Sequence, residues 1–221
     1  GHYQNGRFSE AEELARSISQ IFPKHQFAWK VLGAMFGQTG RNSEAVHANQ
    51  LAVALSPQDA AAHSNLGNTL RRLGRLDEAM ASYIQALALK PNFAEAHTNL
   101  GSTLKELGRL EEAEARCRQA IVLKPDLAEA HSDLGNTLKE LERLEEAVAS
   151  YTRAIALDPE NFKAHNELLE CLYILDKKTL FFDKLDYLIS QNKANANIGS
   201  LTCRSALKYG LEKPNLFCRE P

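Results

Sequence analysis

Four histidines stand at equal intervals in this 221-residue chain: His63, His97, His131 and His165, each 34 residues from the next. Imidazole is the commonest metal ligand, so a regular file of imidazoles raises a metal reading. The ligands of one ion must all lie within about 2 Å of it. Equal spacing instead puts the four rings on successive structural units, and packed helices stand about 8–10 Å apart. The expectation is half-buried structural histidines and no metal. Glu111, Glu112, Glu145 and Glu146 form two adjacent carboxylate pairs, the residue type of acid–base catalysis. Both pairs open a helix-period segment, where they complement the helix dipole. The RRLGR run at 71–75 reads as a solvated turn. Cys117, Cys171, Cys203 and Cys218 form no CxxC pair, which leaves zinc and thioredoxin-like chemistry without support. No phosphate loop or nucleophile elbow occurs. This chain is therefore expected to be no enzyme and to need no cofactor.

Composition narrows the partners. The 26 basic residues nearly balance the 28 acidic ones, for a net charge of −2. Binding a nucleic acid backbone calls for a basic face, so no nucleic acid partner is expected. Nor is a membrane: no apolar run approaches the ~18 residues of a span. GHYQNGRFSE does not read as a secretory leader, and the few scattered thiols fit a reducing compartment. The expected location is cytoplasmic.

The elements that carry these residues are repeats. Residues 60–93, 94–127 and 128–161 align without gaps, and the last two copies agree at 21 of 34 positions. Such self-similarity marks a repeat array. With Ala60, Ala94 and Ala128 at position 1, residues 26–59 form an earlier copy, with Trp29 at position 4 and Pro57 at position 32. Residues 1–25 form a partial copy, the second helix and turn, with Gly6 at position 15. The chain is thus expected to start within a repeat and the natural protein to extend further. The frame holds only in part over 162–190, where Leu169 replaces the glycine of position 8 and Phe181 the alanine of position 20. That segment is a degenerate repeat or a pair of capping helices, since terminal repeats close the stack.

Each repeat reads as two helices. In 60–73 the apolar and small residues fall on one face at about 100° per residue. Gly74 is a stop that accepts positive φ. A second run, Leu76, Ala79, Met80, Tyr83, Ala86 and Leu87, ends at Pro91, with Asn92 as the expected N-cap of the next helix. Gly67 and Ala79 mark close approach of the two helices. The fold class is all-α, a superhelical α-solenoid of antiparallel pairs.

The length of 34 with His63, Leu66, Gly67, Leu70, Ala79, Tyr83, Ala86 and Pro91 resembles the tetratricopeptide repeat, and the equivalents in 26–161 follow the same pattern. The resemblance implies a right-handed superhelix and a concave groove that binds a protein or peptide ligand. Departures are Glu142 for glycine at position 15, and Asn49 and Cys117 where an aromatic is usual.

The resemblance places positions 2, 5, 6, 9, 12 and 13 of the first helix on the groove. Position 6 gives Asn65, Asn99 and Asp133; position 9 gives Asn68, Ser102 and Asn136. Position 5 gives Ser64, Thr98 and Ser132, while Arg72, Lys105 and Lys139 edge the column. Amides offer donors and an acceptor together, so such a ladder would hold a peptide main chain. It resembles the asparagine ladder of the protein O-GlcNAc transferases. A merely solvated polar face is the alternative. A carboxylate clamp is not supported, since Lys30 has Ala34 as its partner position and Glu95 stands where a base is needed.

Two other readings follow from the C-terminal part. QNKANANIGS at 191–200 reads as a linker, and 201–221 as the start of a truncated further domain. The segment from Leu180 to Pro221 resembles the region between repeats and an iron- and 2-oxoglutarate-dependent oxygenase domain. The resemblance implies a substrate-recruiting arm of a larger enzyme, an oxygenase or a glycosyltransferase, whose iron ligands lie outside this chain. The apolar segment around Phe181 and Phe182 is also a candidate homodimer contact.

Overall fold

The computed structural model describes residues 2–190 and Lys208. The described residues are all helical or turn, and they divide into two compact units, 1–123 and 124–221. The first holds α1 (His2–Ile21), α2 (Gln26–Gln38), α3 (Asn42–Leu55), α4 (Ala60–Arg72), α5 (Leu76–Leu89), α6 (Ala94–Glu106) and α7 (Leu110–Leu123). The second holds α8 (Ala128–Glu140), α9 (Leu144–Leu157), α10 (Phe162–Ile174) and α11 (Lys178–Ser190). Within each unit, helices pack on their sequence neighbours, and first helices also meet across a pair, α2 with α4, α4 with α6, and α8 with α10. The result is the all-α solenoid arrangement of helical hairpins.

The turn inside each hairpin is dictated by one backbone angle. Gly40, Gly74 and Gly108 have φ of +75°, +72° and +75°. After α4, Gly74 N–H donates to Arg71 O at 2.9 Å and Arg75 N–H to Leu70 O at 3.0 Å, the paired bonds that close a helix with a left-handed residue. The same position is Glu142 at φ +60° and Asp176 at φ +56°, with the same bonds to Lys139 and Leu138 after α8. The hairpin therefore keeps its form despite the loss of glycine, at the cost of left-handed strain in an L-residue. Glu142→Gly is expected to raise unfolding stability by about 1 kcal/mol, read as a higher urea midpoint with an unchanged slope.

Two expectations about the ends of helices change. The cap position is the last of the repeat, not the one before. Asp59 caps α4 by accepting from the N–H groups of Ala61 (2.9 Å) and Ala62 (3.2 Å), and Asn161 caps α10 through Ala164 N–H. Asn92 stands one residue too early; Phe93 takes the cap position of α6 and offers no side-chain bond. Gly6 does not turn the chain either. α1 runs through it from His2 to Ile21.

The core lies between the helices of each hairpin and between successive hairpins. In the first unit Val46, Leu70, Ala79, Tyr83, Leu100, Leu104 and Ala113 form one buried cluster. Position 8 meets position 24: a Cβ on Gly67 would stand 2.7 Å from the Tyr83 ring, and one on Gly135 2.7 Å from the Tyr151 ring. In the last hairpin Leu169 and Leu185 occupy these two positions and are buried. Phe181 is fully buried too, with its ring centroid 5.3 Å from that of Phe182. The Phe181 ring is therefore interior, while Phe182 beside it is half-exposed and Leu180 exposed. The linker and tail expectations for 191–221 lie outside the described residues, apart from Lys208, whose Nζ donates to Tyr173 O.

Candidate binding face

The histidine file is a joint between repeats. Nε2 of His63, His97, His131 and His165 meets the carbonyl oxygen of Pro57, Pro91, Pro125 and Pro159 at 2.9, 2.9, 3.0 and 3.1 Å. Trp29 Nε1 donates to Pro23 O at 2.8 Å from the same position. A carbonyl only accepts, so each ring carries its proton on Nε2. Among the described residues no group of three or more His, Cys, Asp and Glu is placed to hold a metal.

His97 is 6% exposed, and burial lowers its pKa, as does the charge of Arg116, against the opposing bond to Pro91. An unfolded imidazole titrates near about 6.5. Between that value and the lower folded one, the unfolded chain binds more protons. The contribution of His97 to stability is thus complete above pH ~6.5 and is lost as pH falls towards the folded value. The melting midpoint is expected to drop on acidification from about pH 7.5 to about pH 5, and less so in His97→Gln, which keeps a donor for Pro91 O.

One member of each carboxylate pair is held by an arginine. Arg75, Arg109 and Arg143 precede α5, α7 and α9 and fork onto Glu78, Glu112 and Glu146 at 2.6–2.8 Å. Lys30, the one basic residue at the clamp position, is held by Asp59 at 2.8 Å. Burial pushes the Asp59 carboxyl up, but Lys30, Gln26 and the Ala62 N–H outweigh it and hold it down at about 2.

The polar column divides by position. At position 6, Asn65 and Asn99 lie half-exposed on α4 and α6. Their backbone carbonyls accept from Thr69 (3.0 Å) and Thr103 (2.8 Å). Neither side-chain amide has an intramolecular partner among the described residues. At position 9 the amides are already at work. Tyr83 OH donates to Asn68 Oδ1 at 2.7 Å, and Tyr151 OH to Asn136 Oδ1 at 2.9 Å. Each satisfies the hydroxyl of a ring that is otherwise fully buried. In the repeat with Cys117 in place of tyrosine, position 9 is Ser102, which is 7% exposed and does not reach the face expected of it. Position 5 is also removed from the face: Ser64, Thr98 and Ser132 are buried, and Thr98 bonds back to Ala94 O.

Two models of the family cover most of the chain: TPR repeat over residues 67–108, 101–142 and 135–168, and tetratricopeptide repeat over 1–60. The chain belongs to the tetratricopeptide repeat family. Solved structures agree on the fold. PilW, a type IV pilus biogenesis factor, is similar at 19% identity over 90% of this chain and 93% of that one, with a TM-score of 0.81. PilF of Pseudomonas aeruginosa is similar at 23% identity over 84% of each chain, TM-score 0.75. The first TPR of Spaghetti (RPAP3), bound to the HSP90 peptide SRMEEVD, is similar at 32% identity over 54% of this chain and 94% of that one, TM-score 0.53. No curated protein matches the chain significantly. No described helix is long and apolar enough to cross a membrane.

In the second unit of this tetratricopeptide repeat protein the column turns acidic. Asp133 and Asn136 are joined by an Asn136 Nδ2 to Asp133 Oδ1 contact of 3.5 Å. Lys139 donates to Glu167 at 2.7 Å and also to Glu170. Burial lowers the Lys139 pKa, and the two carboxylates more than reverse that. Glu167 and Glu170 are positions 6 and 9 of the last hairpin. They belong to the column as much as Asp133 does, and the sequence reading missed them because the repeat frame weakens there. Carrying the 34-residue count through 162–175 would have found them. Arg72 and Lys105 remain at the edge in the first unit, Arg72 exposed and Lys105 half-exposed.

Proposed function

We propose that this chain is a scaffold that holds an extended peptide or protein segment along the exposed side of its first helices. The carrying observation is the pair of uncommitted amides, Asn65 and Asn99, at one repeat's spacing on helices that touch. Helices about 10 Å apart match about three residues of extended chain at ~3.3 Å each. Arg72 and Lys105 favour an acidic stretch beside the first unit. Asp133, Glu167 and Glu170 give the second unit the opposite preference. The relative bound to an HSP90 peptide supports peptide capture as the mode. Position 9 adds donors more than acceptors, since the tyrosines already use its carbonyls. Such a scaffold contributes no catalysis of its own, and we place it in the cytoplasm.

The test uses peptides selected from a displayed random library against the whole chain. Asn65→Ala with Asn99→Ala should weaken them without loss of helicity; unchanged affinity would refute the groove. A self-association reading now rests on Leu180 and Tyr187, 57% and 44% exposed. Sedimentation at two concentrations decides it, a monomer at both removing it. The enzyme-arm reading concerns a catalytic domain beyond this chain, and the full reading frame tests it.

A further inference from the structure

The second helix of the last hairpin breaks a rule that the other four hairpins keep. Arg41, Arg75, Arg109 and Arg143, at position 16 of their repeats, each grip the glutamate at position 19: Glu44, Glu78, Glu112 and Glu146. In α11 these two positions are Lys177 and Leu180. Position 26 is Gln85, Gln119 and Arg153 in the three hairpins before it and Tyr187 here. A charged surface has become apolar, and Leu180 and Tyr187 both stand exposed.

The two side chains border a groove of about 320 Å3 inside the second unit. α9 and α11 both pack on α10. The buried Leu168 and Leu172 of α10 floor the groove, and Val148 and Thr152 of α9 line its far side. From Leu180 to Tyr187 is about 10 Å of helix, and a helix about 10 Å across would need more than twice the groove's volume over that length. Side chains fit it and a whole helix does not.

The residues that α11 turns towards this groove are ordered. Leu180, Asp183, Lys184 and Tyr187 all line it, and at i, i+3, i+4 and i+7 they share one helical face. The Lys184 ammonium lies 4.9 Å from the centre of the Tyr187 ring, so its charge stays at the apolar edge. The order is apolar, acid, base, apolar. Read backwards it is apolar, base, acid, apolar, the complement of itself. A second α11, turned end for end about a two-fold axis between residues 183 and 184, sets Lys184 of each copy against Asp183 of the other. Leu180 of each copy then meets Tyr187 of the other. A parallel pairing would set like charge against like. One patch that meets itself in this way is an isologous contact.

We infer that this face of α11 is an antiparallel two-fold contact between two copies of this chain, with Leu180 and Tyr187 of each copy closing over the groove of the other. The inference rests on the self-association reading and is independent of the peptide groove.

Sedimentation of the whole chain at low salt, over the micromolar range, should show a reversible dimer. Leu180→Asp, at an exposed position, should stay monomeric with a native circular dichroism spectrum. Charge reads the register. Asp183→Lys and Lys184→Glu each bring like charges together twice across the axis, and each should weaken the dimer about tenfold, the size of several surface ion-pair effects combined. Mixed in equal amounts, the two variants regain opposite charges at both contacts and should form a heterodimer about as tight as the parent dimer. A monomer throughout overturns the inference together with the self-association reading, and leaves the face to a different protein or to solvent. A dimer that Leu180→Asp abolishes and the charge variants leave unchanged keeps self-association and overturns the antiparallel contact. A dimer that Leu180→Asp leaves intact lies elsewhere on the chain and overturns it too.

Discussion

Asn65→Ala combined with Asn99→Ala is expected to weaken a library-selected peptide about 5- to 150-fold, with the circular dichroism spectrum and melting midpoint close to those of the parent. Each amide that hydrogen-bonds a peptide main chain contributes about 0.5–1.5 kcal/mol net, and the two sites sit on separate helices, so their effects should add. Stability is spared because neither side chain has a partner among the described residues. The contrast with position 9 makes the experiment sharp. Asn136→Ala would leave the Tyr151 hydroxyl buried without its 2.9 Å acceptor, and should lower stability by about 1–3 kcal/mol. A weakened peptide with that variant would report damaged packing as much as lost contact. Position 6 is where recognition can be separated from folding.

Gly135→Ala should destabilise the chain by about 1–3 kcal/mol, although alanine is the better helix former. The added Cβ would lie 2.7 Å from the Tyr151 ring. That ring has nowhere to go: it is 0% exposed and its hydroxyl is tied to Asn136. In a Tyr151→Leu background the obstacle is gone, and the same substitution should become favourable by about 0.5–1 kcal/mol, the ordinary difference between glycine and alanine within a helix. A double-mutant cycle by urea denaturation measures both signs. Equal effects in the two backgrounds would mean that the glycine is not there for the tyrosine. The last hairpin shows that the pairing is a matter of combined volume, since Leu169 and Leu185 occupy the same two positions.

Much of this was legible in the chain because a repeat writes each packing rule several times. Gly67, Gly101 and Gly135 in phase with Tyr83, Cys117 and Tyr151 already imply a close crossing, and the turn glycines Gly74 and Gly108 already imply positive φ. The histidine spacing already implied one separate contact in each repeat, as the four proline carbonyls show. Periodicity could not tell which polar side chains had work inside the protein. Asn65 and Asn68 look alike three residues apart, yet one is uncommitted and the other is bonded to Tyr83. Position 5 looked like groove lining and is buried. Glu167 and Glu170 were lost to a fading repeat frame.

What the sequence settled alone was the family, the helix pairs and their turns, because those depend on local backbone preference and on apolar residues recurring at helical spacing. Only the tertiary structure decided which amides on that face are open to a partner. A hydrogen bond such as Tyr83 to Asn68 depends on distances of a few ångströms between different helices, and no count along the chain contains them.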